Sequence, residues 1–341
     1  MRNINKVLTS PYVFLSGIDI ENRAFLFLET NREVLSKSAF IDGRETISSK
    51  QHIRVSFEDV FSSKMNTAKK SESRFIFHMA FCGSTLLART LDVKGKSLSY
   101  KEPQVFIDLS TIKASNHALY KDKNSWGKLL AFTLSKFDAR FTDQEQNIIK
   151  PSNWVNTIAD DLLLNRAGQK ALLLTIEPED FLIAVFRGGG DRVRYIHSFL
   201  QHMAKGKQDL LKVIDQIEKE NKDTVSLFSK LVLLAYAIQK NKLHKTSKLL
   251  SKEQILFMDH KKLINEPMVC IEKASTFFDL RLTPIEIEES IKRNFRNHSK
   301  VVGRAYNNKE MGATNDKVLA AYGGNFEETL EWYDDNYCAS Q

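Results

Sequence analysis

Arg74-Phe75-Ile76-Phe77-His78-Met79-Ala80-Phe81-Cys82-Gly83-Ser84-Thr85-Leu86-Leu87-Ala88-Arg89-Thr90-Leu91 reads as a strand, a turn and a helix in immediate succession. Residues 74–79 form a short aromatic and β-branched run, the pattern of a buried strand. Ala80–Gly83 is the turn. Ser84 or Thr85 then stands near a helix N-terminus, with Leu87 and Leu91 four apart on one face. This succession points backbone N–H groups and two hydroxyls at one spot, and the helix dipole makes that spot attractive to phosphate. Phe81-Cys82-Gly83-Ser84-Thr85 is the expected cradle. It is not a GxxxxGK[ST] loop: with Gly83 as the second glycine, His78 stands where the first should be and Ser84 where the lysine should be. That lysine normally reaches the β- and γ-phosphates, so its absence argues against ATP or GTP hydrolysis.

Outward from this segment the pattern continues. Ser97–Tyr100 is extended and ends in Lys101-Glu102-Pro103. Asn147–Pro151 reads as a further strand, and Ala171–Ile176 as the clearest buried one. Glu177-Pro178-Glu179-Asp180 opens a helix from Phe181 to about Phe186, with acids at its positive end, and Gly188–Gly190 closes it. Residues 207–250 are helical in character, and Gln254–Met258 is a last short strand. Strands alternating with helices predict an α/β fold, a three-layer P-loop-type parallel sheet flanked by helices with right-handed crossovers. Residues 1–73 read as an N-terminal extension packing on the core. Ala24–Glu29 is β-like within it, the basic start runs into a strand, and Ser62–Ser73 forms a polar linker. Residues 74–341 form the α/β domain.

The 341 residues suffice for a sizeable core. Hydrophobic residues make up 42% and charged ones 27%, which excludes disordered and low-complexity classes. Glycine and proline, at 14 and 6 residues, lie below their usual shares of about 7% and 5%, favouring a helix-rich fold. Three cysteines cannot build a disulfide framework, and point to a reducing, cytoplasmic compartment. They have neither CxxC spacing nor a nearby histidine pair, so no metal site is expected. No run of 18 apolar residues exists, so no membrane span is expected. The net charge of +8 permits an anionic ligand, a nucleic acid or a membrane surface without choosing among them. The aromatic–basic interleaving of RNA-recognition modules is absent, so no nucleic-acid partner is expected.

His78-Met79-Ala80-Phe81-Cys82-Gly83-Ser84-Thr85, followed in order by Tyr100-Lys101-Glu102-Pro103, Ile149-Lys150-Pro151-Ser152 and Ile176-Glu177-Pro178-Glu179-Asp180, resembles the sulfotransferase superfamily over about residues 74–305. The bacterial sulfotransferase-like P-loop proteins are the nearest group. The resemblance implies a 5′-phosphosulfate loop at Gly83, Ser84 and Thr85 for the co-substrate 3′-phosphoadenosine 5′-phosphosulfate (PAPS). Cys82 replaces the family's serine, and Phe81 stands where the family has lysine or arginine. The segment after the second strand carries a catalytic glutamate in protein-tyrosine sulfotransferases. That makes Glu102 the candidate base and Lys101 an auxiliary cation. Lys150 is the candidate transition-state cation, and Ser152 a phosphate ligand or helix cap. His78 reads as a hydrogen-bonded core histidine. Cys82 lacks a partner histidine for a thiol mechanism.

The resemblance fails at the 3′-phosphate. Its arginine positions read Ile176 and Glu179, and its serine position reads Ala184, although Pro178 and Asp180 keep the turn. The basic run Lys292, Arg293, Arg296, Lys300, Arg304 and Lys309 offers a substitute, with Lys300 and Arg304 the expected clamp. Arg187, Arg192 and Arg194 form a second basic group. Met258–Pro267 matches a structural signature after the last strand. The implied activity is sulfuryl transfer to a hydroxyl or amine of a small-molecule or peptide acceptor, with no metal. A P-loop phosphate-binding protein without transfer is the alternative. Oligomeric state has no signature in the sequence.

Overall fold

The computed structural model describes residues 4–44, 52–63, 73–165, 167–295 and 308–338. The chain forms two compact units. One comprises residues 1–78, 83–174 and 246–306, the other residues 79–82, 175–245 and 307–341.

The first unit holds two sheets. β1 (Val13–Asp19), β2 (Ala24–Glu29) and β3 (His52–Ser56) form an antiparallel sheet in that order. The second sheet contains β4 (Arg74–His78), β5 (Ser97–Lys101), β6 (Gln146–Lys150), β7 (Lys170–Thr175) and β8 (Ile255–Asp259), in the order β5-β6-β4-β7-β8. The pairs β5–β6, β6–β4 and β4–β7 are parallel. β4 and β5 are buried at every position, as continuous apolar or small-residue runs are when both faces of a parallel sheet are covered. The fold is therefore α/β, with a five-stranded parallel sheet flanked by helices.

The expected strands lie within about one residue of those observed. The helix expected from Phe181 starts earlier, with Pro178 in its first turn where a missing N–H costs nothing, and runs to Arg187. At the triple glycine one helix stops at Gly188 and another, Gly189–Ala204, starts at once. The region 207–250 is two helices, Gln208–Glu220 and Thr224–Ser247. Ser62 closes a helix, Phe57–Ser62, and most of the expected linker lies outside the described residues.

The second unit is helical. Phe186 packs on Tyr322 and Phe326 at centroid distances of 5.3 and 5.0 Å. Tyr236 bridges Phe181 and Tyr333, each at 5.6 Å.

Candidate active site

In a parallel sheet all strands end on one edge, and side chains just past those ends converge there. Three adjacent strands bring the first unit's candidate residues to that edge. β4 leads through the turn into Gly83 and the helix Ser84–Thr90. β6 ends in Lys150, and β5 ends beside it, Lys101 registered with Lys150. The Glu102 N–H then donates to the Lys150 carbonyl at 2.7 Å, which extends the ladder one residue beyond the strand. His78 Nε2 lies 3.0 Å from the Pro151 carbonyl and Asn156 donates to the His78 carbonyl at 3.0 Å, pinning the end of β4 to the segment after β6.

Gly83 holds the turn at φ +83°, a conformation open to glycine and costly for other residues. It is the N-cap of the helix and supplies no side-chain cap, so the first N–H groups of the helix keep their donor capacity. Ser84 and Thr85 are buried in this first turn. Phe81 is also left-handed, at φ +62°.

Glu102 and Lys150 form an ion pair, Lys150 Nζ donating to Glu102 Oε1. Lys150 is 1% exposed. The other carboxylate oxygen of Glu102 takes a hydrogen bond from Arg44 at 2.5 Å, and Arg44 also pairs with Asp42 at 2.6 Å. The Arg44 guanidinium lies 3.7 Å from the Phe40 ring centroid. Burial pushes the Glu102 carboxyl up, but the charges of Lys150, Arg44 and His78 outweigh it and hold it at about 2. Glu102 sits at φ +57°, a strained backbone for this residue of the kind found at functional sites. The arrangement is an ionised carboxylate clamped between two cations at the carboxyl edge of the sheet.

Lys101 is not part of this cluster. Its ammonium is fully buried and donates to the carbonyls of Leu35, Ser36 and Ser99 at 3.0–3.1 Å, with Asp92 at 3.6 Å. Burial pulls it down to about 8 in spite of Asp92. Ser152 occupies the N-cap of the short helix Asn153–Ile158 without a capping bond from its side chain. Arg44 went unread in the sequence. It lies 58 positions from its partner in a polar turn, and no local pattern marks it.

In the second unit Cys82 is fully buried. Phe81 packs at 5.7 Å from Tyr195 and 6.2 Å from Phe181, and Arg192 lies 4.9 Å over its ring. A guanidinium thus stands beside residue 81 although the loop itself has none. Arg192 donates to the Ala184 carbonyl, and burial followed by the charge of Arg187 lowers its proton affinity. A Cβ on Gly188 would come within 2.0 Å of the Arg192 side chain, so glycine there makes room for it. Ile176 and Ala184 are buried and Glu179 is exposed. Lys292 pairs with Glu288 at 2.6 Å, whereas Lys300 and Arg304 lie outside the described residues. Among the described residues no group of three or more His, Cys, Asp or Glu is placed to hold a metal ion. No described helix is long and apolar enough to cross a membrane.

No protein-family model matches the chain. No curated protein matches it by sequence. Its fold is similar to that of several solved sulfotransferases. One is the sulfotransferase STF1 of Mycobacterium tuberculosis H37Rv, at 11% identity and TM-score 0.41 over 75% of this chain and 78% of that one. Another is the sulfotransferase domain of the curacin biosynthetic pathway, at 13% identity and TM-score 0.40 over 64% and 76%. A third is retinol dehydratase in complex with androsterone and the inactive cofactor PAP, at 12% identity and TM-score 0.39 over 80% and 83%.

Proposed function

We propose that the protein is a sulfotransferase that moves a sulfuryl group from PAPS to a hydroxyl or amine of a small-molecule or peptide acceptor. The observation that carries this reading is the Glu102–Lys150 pair beyond the ends of adjacent strands, on the edge that also carries Gly83-Ser84-Thr85. Sulfuryl transfer is an in-line displacement. It needs a base for the acceptor proton and a cation for the bridging oxygen of the leaving phosphate. Glu102 and Lys150 are those two groups, side by side.

The donor-binding residues fit one end of PAPS better than the other. Gly83 and the N–H groups and hydroxyls of Ser84 and Thr85 suit its 5′-phosphosulfate. Phe81 and Cys82 complete the loop. Ile176, Glu179 and Ala184 offer nothing to a 3′-phosphate, which leaves Lys300 and Arg304 as its proposed ligands.

In the resting protein Glu102 is a weak base, because Lys150 and Arg44 both stabilise its ionised form. A move of the Lys150 ammonium from Glu102 to the leaving oxygen removes one of these charges. The carboxylate becomes more basic at the step where it must accept a proton. The pair thus acts as a latch that couples donor binding to activation of the base. Lys101, engaged by three carbonyls, serves to hold residues 35 and 36 against the end of β5.

A second reading, a phosphate-binding protein without sulfuryl transfer, draws support from Glu179 and Ile176. Calorimetry of adenosine 3′,5′-bisphosphate against 5′-AMP and ATP tests both. Preference for the bisphosphate supports the transferase, and equal binding of the three supports the second reading. Absence of all binding sinks both.

A further inference from the structure

The opposite edge of the same sheet carries a cavity of about 810 Å³, within the range of small-molecule sites. Its wall presents Arg74, Lys96, Arg140, Lys170 and Arg281, against the carboxylates Asp143 and Asp279. Arg74 and Lys170 are the first residues of β4 and β7, and Gln146, also on the wall, is the first of β6. β6 therefore runs from this cavity at Gln146 to Lys150, a separation of about 13 Å at 3.3 Å per residue.

The charges on this wall are unevenly matched. Asp279 serves two cations, Lys170 at 2.6 Å and Arg74 at 3.9 Å. Among the described residues Lys96 makes long contacts, 3.9 Å to Glu286 and 3.4 Å to the Arg281 carbonyl. Asp279 and Arg281, both lining the cavity, are left-handed at φ +57° and +56°.

We propose that this cavity is a second ligand site, distinct from the carboxyl-edge site, and that it takes a small phosphorylated or sulfated molecule. Lys96, Arg281 and Lys170 receive the anionic groups. A volume of about 810 Å³ suits a small molecule. The proposal does not depend on the transferase reading.

The test is calorimetry of fructose 1,6-bisphosphate on the full chain, with the double variant Lys96→Ala/Arg281→Ala and with Lys150→Ala. The expected result is one equivalent bound, at least tenfold weaker in the double variant and within twofold of wild type in Lys150→Ala. No binding, or binding unchanged in the double variant, overturns the proposal. So does a tenfold loss in Lys150→Ala alone, which places the sugar phosphate at the other edge. Protection of Lys96 from acetylation by the same ligand, read by mass spectrometry on the wild-type chain, is expected and needs no variant. Labelling of Lys96 that the ligand leaves unchanged counts against the site.

Discussion

The Glu102–Lys150–Arg44 cluster makes unequal demands on its members. Lys150 is buried, and its side chain has Glu102 as its counter-ion. Glu102 has a second cation in Arg44. Removing the carboxylate leaves a buried ammonium unpaired, a loss of about 3 kcal/mol by the usual cost of breaking a buried pair. Removing the ammonium leaves Glu102 with Arg44 and costs less. Glu102→Gln is therefore expected to lower the urea midpoint more than Lys150→Met, while both abolish sulfuryl transfer. Equal midpoints show that the pair is not formed in solution. The pH dependence carries the same signature. Glu102 is held at about 2 against an ordinary 4.5, so the folded state binds fewer protons than the unfolded chain between those values. Its contribution is full above about 4.5 and is lost as the pH falls toward 2. The stability gap between wild type and Glu102→Gln should close across that window, and urea midpoints from pH 7 down to 2.5 measure it. A gap constant with pH contradicts the assigned ion pair.

At the scale of elements, the strand–turn–helix at 74–90 rests on Gly83. An alanine there meets two obstacles: the left-handed φ of +83°, and His260, whose Nδ1 would lie 3.3 Å from the new Cβ. The backbone penalty alone is about 1–2 kcal/mol. Gly83→Ala should lower stability by that order and weaken bisphosphate binding by tenfold or more, since the displaced turn re-aims the N–H groups of Ser84 and Thr85. Urea unfolding and calorimetry on one preparation check both effects, and unchanged affinity removes the loop from the binding site. The sequence made this element and the sheet legible because both write themselves locally. Buried parallel strands are continuous apolar runs such as Ala171–Leu174, and the turn needs a glycine. The less legible parts are long-range. The environment of Lys101 depends on the carbonyls of Leu35 and Ser36, some 65 positions away. Arg192 reaches the Phe81 ring from a helix more than a hundred positions away, and such a contact leaves no spacing to read. β3 escaped notice because His52-Ile53-Arg54-Val55-Ser56 is a short, half-polar strand without a continuous apolar run.

At the scale of the whole chain, the N-terminal segment is bound into the first unit by more than surface packing. Phe25 and Phe27 of β2 lie 4.4 and 6.3 Å from Phe132, a buried residue of the helix Lys123–Asp138. Arg32 reaches both Asp92 at 3.1 Å and Glu145 at 2.5 Å, on either side of β5 in sequence. Lys136 donates to the carbonyls of Val7 and Ser10, each at 3.0 Å, and burial draws its ammonium down to about 7. The carbonyls of Leu35 and Ser36 hold Lys101. Deleting residues 1–63 would strip partners from two buried ammonium groups, leave Asp92 and Glu145 without Arg32, and open the aromatic cluster around Phe132. Each unpaired buried charge costs several kcal/mol, and a domain's whole stability is about 5–15 kcal/mol. A chain beginning at residue 64 is therefore expected to lack a cooperative thermal transition and to bind a hydrophobic dye. Full-length protein should melt sharply under the same conditions. A truncated chain that melts cooperatively and still binds adenosine 3′,5′-bisphosphate would show that the segment is an appendage. Loss of folding would show that the sheet and the Glu102–Lys150–Arg44 cluster depend on it.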